Sequence, residues 1–158
     1  MAFMLKSPAF SFSEEMPTRY TGEGENVSPP LEWTDAPPGT RSFALVMEDP
    51  DAPSGTFHHW GIYNIASDRT ALPEGIGHGV KAESLGHCLN DFGHARYDGP
   101  MPPEGDDEHR YHFRLAALDV DRLRVPKETV TDLQELIRPH VIAEAELIGS
   151  YASRHNAG

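Results

Sequence analysis

The feature that most constrains the fold is SFALVMEDPDAPSGTFHHWGIYNIA, residues 42–66, where two apolar runs flank a turn built on Asp49, Pro50, Asp51 and Pro53. The first run is unbroken from Phe43 to Met47 and stops at Asp-Pro-Asp-Ala-Pro, which fits a buried strand. The second, HWGIYNIA, is another, with Trp60 and Ile62 on one face and Tyr63 and Ile65 on the other. RYHFRLAALDV gives a third strand whose Tyr111, Phe113, Leu115 and Ala117 share a face. His109 has the same parity, so a strand reaching back to it points His109 at that apolar face.

Around these strands the chain is rich in turns. Fourteen Pro and fourteen Gly suit a loop-rich β fold better than a helical one. LEW, between the Pro29-Pro30 and Pro37-Pro38 pairs, reads as a short edge strand. Residues 66–103 read as mostly loop, and so long a loop in a small domain is usually functional. Helix is expected only late. TDLQELI has a capping-box pattern, Thr131 with Gln134 three residues on, and an apolar stripe of Leu133, Leu136 and Ile137 that Pro139 ends. HVIAEAELIGSYAS fits a second short helix that finishes as a strand. The expectation is one mainly antiparallel β domain over residues 1–158, with one or two C-terminal helices.

Charge and cysteine usage narrow the function. A net charge of −12 disfavours nucleic acid and anionic membranes, so any anion site must be built locally from a few aimed donors. The nine His residues are the natural donors. Cys88 is the only cysteine, which excludes an intrachain disulfide and a cysteine-rich zinc site. No signal-peptide pattern and no apolar run near ~18 residues is present, so a cytoplasmic protein without membrane insertion is expected.

Asp49 ends the row Phe43, Leu45, Met47, where a buried carboxylate is costly unless a positive or hydrogen-bonding group meets it. His59 and His109 open the next two strands, so three strand ends place an Asp and two His at one edge of a sheet. Asp49 accepting from one imidazole would fix its tautomer and favour its charged form, leaving the outward N–H for a phosphate or carboxylate oxygen. Taken singly, each residue also fits a plain structural role: Asp before Pro caps turns, and His at a strand start often lies on the surface. Pro50, Pro53 and Asp51 shape the loop, where a cis X–Pro bond is conceivable. His58, His78, His87, His94 and His112 have no zinc-site spacing, and Walker, Gly-x-Gly-x-x-Gly and Gly-x-Ser-x-Gly motifs are absent. Cys88 beside His87 reads as a small buried filler, since neighbours on an extended segment point apart.

The segments FALVMEDPDAPSGTFHHWGIYNI, LNDFG, YDGPMPPEGDDEHRYHFRLAALD and AEAELIGSYASR together resemble the phosphatidylethanolamine-binding protein family, in its bacterial and archaeal, Raf kinase inhibitor-like branch. The resemblance implies a large antiparallel β-sheet packed with a smaller one, plus peripheral helices, and an edge pocket for phosphate-type groups such as phosphoethanolamine. By motif it makes Asp49 the pocket carboxylate, His59 and His109 the pocket histidines, and Tyr111 a hydroxyl donor, with Pro53 and Phe57 as wall. Arg110, opposite in parity to His109, is expected in a structural ion pair. Many members have Gly where this chain has Asp107, and the acidic run Glu104, Asp106, Asp107, Glu108 should weaken anion binding. A role resting on a longer C-terminal helix is not expected to transfer.

Three functions follow. The favoured one is a small-anion-binding protein that regulates or inhibits a kinase or protease, without cofactor, metal or catalytic residue, with a homodimer expected from the family. The alternative is a metal-assisted or acid–base phosphoester hydrolase using Asp49, His59 and His109, a legitimate metal set. In the third, the pocket is vestigial and the protein acts through its surface. Binding is preferred because no activated nucleophile is in view.

Overall fold

In the computed structural model, residues 2–76, 85–126 and 128–154 are described, and His78 lies outside them. Five antiparallel strands form the main sheet: β3 (Ser42–Asp49), β4 (Phe57–Ala66), β6 (Gly86–His87), β7 (His109–Leu118) and β8 (Val141–Tyr151), in the order β6-β4-β3-β7-β8. A smaller sheet pairs β1 (Met4–Lys6), β2 (Leu31–Thr34) and β5 (Ala71–Leu72) in the order β1-β2-β5. The protein is thus mainly β, with two antiparallel sheets. LEW lies in β2 and is central in its sheet, not an edge; β1 and β5 flank it on either side.

The main sheet is covered on both faces, which explains the unbroken apolar run of β3. One face supplies Phe43, Leu45, Met47, Phe113, Leu115 and Leu147 to a core closed by Leu5, Leu31, Trp33 and Leu72 of the small sheet. The other face sends Ala44, Val46, Ala116 and Leu118 against Val130, Leu133 and Ile137 of the single α-helix among the described residues, α1 (Val130–Ile137). A strand buried on both sides has no polar face to show, so β3 carries no alternation. Contact between α1 and β4 is close at Gly61, where an added Cβ would lie 2.8 Å from Val130 Cγ2.

The strand β4 breaks its own alternation twice. Met47 pairs with Trp60 and Glu48 with His58, so His59 has no partner on β3; it is the extra residue of a β-bulge. Between the Leu45–Ile62 and Phe43–Ile65 pairs a second bulge sets two residues of β4 against one of β3, and Asn64 there has φ 59°. The assignment of Ile65 to the face of Tyr63 is therefore corrected. Trp60, Ile62 and Ile65 all enter the core between the sheets, while Tyr63 packs against the cluster under α1.

Other corrections are local. The cap of α1 is Thr129, not Thr131: its side chain accepts from the Asp132 N–H at 3.1 Å. Val130, one residue inside that cap, joins the apolar stripe, which a helix starting at Thr131 would leave out. Around Pro139 the chain makes one 3₁₀ turn (Arg138–His140) and is then strand throughout β8, because β7 is there to pair with it. No cis peptide bond occurs among the described residues. None of their helices is long and apolar enough to cross a membrane.

Candidate functional site

The ends of β3, β4 and β7 meet at one end of the main sheet around a cavity of about 170 Å³. Its lining includes Asp49, Pro53, Phe57, His59, His109 and Tyr111, all six pocket residues expected from sequence. The bulge carries His59 to the same side as Trp60, so both ring systems face inward. Pro50, Asp51 and Arg110 do not line the cavity.

Asp49 is only 3% exposed and divides its two oxygens between two tasks. Its Oδ1 accepts the Asp51 N–H at 2.8 Å, the Asx turn that Asp-Pro-Asp favours. Its Oδ2 lies 2.7 Å from His109 Nδ1. Turn former and pocket residue are thus the same side chain. Asp51 in turn accepts the Arg110 N–H at 2.9 Å, with the exposed guanidinium 3.7 Å away. These bonds tie the turn after β3 to the first residues of β7.

The pKa values of the two histidines are moved in opposite directions. Burial works against charge on His109, but hydrogen bonds to Asp49 and Asp106 outweigh it and raise its pKa. Burial lowers the pKa of His59, against the weaker pull of the Asp98 carbonyl and the Asp49 charge. His59 Nδ1 lies 2.7 Å from the Asp98 backbone oxygen, which can only accept. The proton therefore sits on Nδ1, and the neutral ring keeps a lone pair on Nε2. Tyr111 meets the His59 ring edge-on, with centroids 5.4 Å apart, and burial, then Asp49 and Asp51, holds its hydroxyl protonated.

The outward nitrogen of His109 is not left open as the sequence suggested. Asp106 Oδ2 lies 3.1 Å from Nε2, because the turn before β7 folds the acidic run back over the ring. Sequence reasoning flagged that run as a source of repulsion and missed the contact.

It also missed Ala52, Phe92, Met101, Pro102 and Pro103, which complete the lining. Phe92 packs edge-on to Phe57 at 4.7 Å although the residue is 44% exposed, and Met101 is 56% exposed, so the mouth is apolar. Phe92 is set by Asn90, whose Oδ1 accepts the N–H groups of Phe92 (2.9 Å) and His94 (3.1 Å). The Asn90 amide donates to His59 O, Arg96 O and Asp98 Oδ2. Asn-Asp-Phe-Gly, a turn signature inside the long loop, was the available signal.

Cys88 is fully buried under α1, and burial, then the Asp132 and Glu128 charges, pushes its thiol up to about 12. Among the described residues no group of three His, Cys, Asp or Glu side chains is placed to hold a metal ion. The lining contains no Ser, Thr or Cys. A larger groove of about 470 Å³ beside β1 is mostly apolar, with only Lys6 and Glu146 bringing charge.

A two-sheet β protein with a buried Asp–His pair in the wall of a small aromatic cavity is the class that fold and site define. Residues 6–152 match the phosphatidylethanolamine-binding protein family, and the chain belongs to it. A UPF0098 protein of Methanothermobacter thermautotrophicus is 44% identical over 93% of this chain and 97% of its own length. One from Aquifex aeolicus is 40% identical over 92% of this chain and 85% of its own. The crystal structure of Escherichia coli YbcL, described as a member of the mammalian PEBP family, superposes with a TM-score of 0.90 at 31% identity, covering 98% of this chain and all of YbcL.

Proposed function

We propose that this protein binds a small ligand through a phosphate-type group in the cavity between Asp49, His59, His109 and Tyr111, as a recognition module and not as an enzyme. The observation that carries this is the buried Asp49–His109 pair at 2.7 Å in the wall of a cavity, where the carboxylate favours the charged form of the ring. Tyr111 supplies a second donor, and His59 Nε2 an acceptor for a ligand hydroxyl. The family name points to a phosphoethanolamine headgroup, whose ammonium finds carboxylates in the acidic run. Control of a kinase or protease, the role the family suggests, would follow from occupancy of this cavity.

The decisive experiment is an NMR titration of the histidine side-chain nitrogens with phosphoethanolamine near pH 6.5 at low salt, with His109→Ala and an EDTA-treated sample as controls. Saturable shifts at His59 and His109 that vanish in the variant and survive EDTA support the proposal. No shift, or a response that needs metal, overturns it.

The hydrolase alternative draws on the opposed pKa shifts of His59 and His109, a pattern suited to acid–base work. Its lining offers no Ser, Thr or Cys, so the attacking group would be water or the neutral His59 ring. Turnover of a phosphoester that is lost in His59→Gln would favour it.

A further inference from the structure

We propose that Asp106 is a built-in competitor of the pocket: its carboxylate occupies the His109 nitrogen that an anionic ligand needs, and binding proceeds by exchanging Asp106 for the ligand. The inference rests on the anion-pocket reading and adds how that pocket is regulated.

The His109 ring cannot turn to offer another nitrogen. Its Nδ1 is held by Asp49 at 2.7 Å, and Asp49 is itself pinned by the Asp51 N–H at 2.8 Å. Nε2 is the remaining nitrogen, and Asp106 Oδ2 stands 3.1 Å from it. A carboxylate oxygen there is chemically what a phosphate oxygen would be: an anionic acceptor for an imidazolium N–H.

The two carboxylates on this ring differ in a way that assigns their roles. The Asp49 side chain is 4% exposed and that of Asp106 is 40% exposed. Leaving His109 would strand Asp49 without solvent, whereas Asp106 has water beside it to take over its hydration. Asp49 therefore orients the ring and Asp106 is the replaceable partner. One imidazolium between two carboxylates leaves an excess negative charge, so an incoming anion must expel Asp106 and not join it.

Asp106 is delivered by a turn suited to such a movement. Its N–H bonds Pro103 O at 3.3 Å, closing a four-residue turn in which Gly105 has φ +88°, the position a type II turn reserves for glycine. Pro102 and Pro103, at the start of that turn, line the cavity. Asp106 is not among the residues that line the cavity, so turning its side chain away from Nε2 moves no lining residue.

The test compares wild type, Asp106→Asn and Glu108→Gln. The last removes an exposed charge of the same acidic run that has no hydrogen bond to His109. The probe is inorganic phosphate, with Kd read from His109 side-chain nitrogen shifts at pH 7, and the His109 titration is followed without ligand. Asp106→Asn is expected to lower the His109 pKa and to tighten phosphate binding about tenfold or more. Glu108→Gln should change Kd less than about threefold. If the His109 titration is the same in Asp106→Asn and wild type, the contact is not made in solution and the proposal is overturned. It is equally overturned if the titration moves but Kd does not, or if Glu108→Gln tightens binding as much. If the titration moves and neither protein binds phosphate at all, the anion-pocket reading itself has failed and the competitor falls with it.

Discussion

His58 and His59 are neighbours in β4 that face opposite sides of the main sheet, yet both are fastened to the same loop. His58 Nδ1 lies 3.0 Å from Asp91 Oδ2, and His59 Nδ1 lies 2.7 Å from Asp98 O. On the outer side His58 Nε2 approaches Glu48, the chain neighbour of Asp49, at 3.6 Å, and Glu48 is also held by Arg114 and Gln134. The adjacent histidines therefore serve two different networks, and one loop, residues 90–98, fixes both rings.

The inner histidines should titrate on opposite sides of 6.5. His109, whose folded pKa is raised, contributes stability that is full below pH 6.5 and is lost as pH rises through that raised value. His59, whose folded pKa is lowered, does the reverse: its contribution is full above 6.5 and is lost as pH falls towards the lowered value. Nitrogen-detected NMR between pH 4 and 9, read against the unperturbed histidine value of about 6.5, should give two separate midpoints, with His59 protonated at Nδ1 when neutral. Midpoints in the reverse order would contradict the assigned hydrogen bonds.

Replacing Asp49 by Asn separates its two tasks. The amide oxygen can still accept the Asp51 N–H, so the turn is retained, but the charge facing His109 is gone. We expect a lower His109 pKa and a loss of about 2 kcal/mol in urea denaturation at pH 6, the scale of a buried charge-assisted hydrogen bond. A variant as stable as wild type at that pH would show the pair to be dispensable.

Asn90→Ala removes donors to His59 O, Arg96 O and Asp98 Oδ2 and acceptors for Phe92 and His94 in one step. The bonds to His59 O and Asp98 Oδ2 are buried, so those two partners lose them without gaining water. Destabilisation of about 3 kcal/mol is expected. Proton–proton contacts between Phe57 and Phe92 should weaken in the same variant. Intact aromatic contacts would mean that Phe92 is placed by packing and not by Asn90.

The two threonines at the start of α1 give a sharp contrast. Thr129→Ala should cost about 1 kcal/mol through the lost cap, while Thr131→Ala, at an exposed position inside the helix, should be neutral within about 0.5 kcal/mol. Thermal melts of the two variants side by side decide it.

Much of this architecture was legible because the relevant signals are local. The run in β3, the alternation in β7 and the parity of His109 with Tyr111 each follow from side-chain period, and all lie where that period predicts. The two bulges of β4 were not legible, since an extra residue leaves no mark on composition and only its partner strand reveals it; Ile65 was misplaced for that reason. The cap of α1 went wrong because Thr129 and Thr131 both offer a hydroxyl and the choice lies in φ and ψ. Phe92 and Met101 were hidden by distance along the chain. Asp106 was visible as charge, but its seat on His109 depends on the hand of one glycine turn.

The bulge at His59 makes the cavity a check on strand register. Were β4 to pair without its extra residue, His59 and Trp60 would lie on opposite faces, and ring and indole could not both turn inward. A molecule that pairs its strands wrongly by one residue keeps most of its hydrogen bonds but has no pocket. Any ligand of this cavity would thus select the correctly registered chain from near-native competitors, acting as a proofreader of folding as well as a cargo.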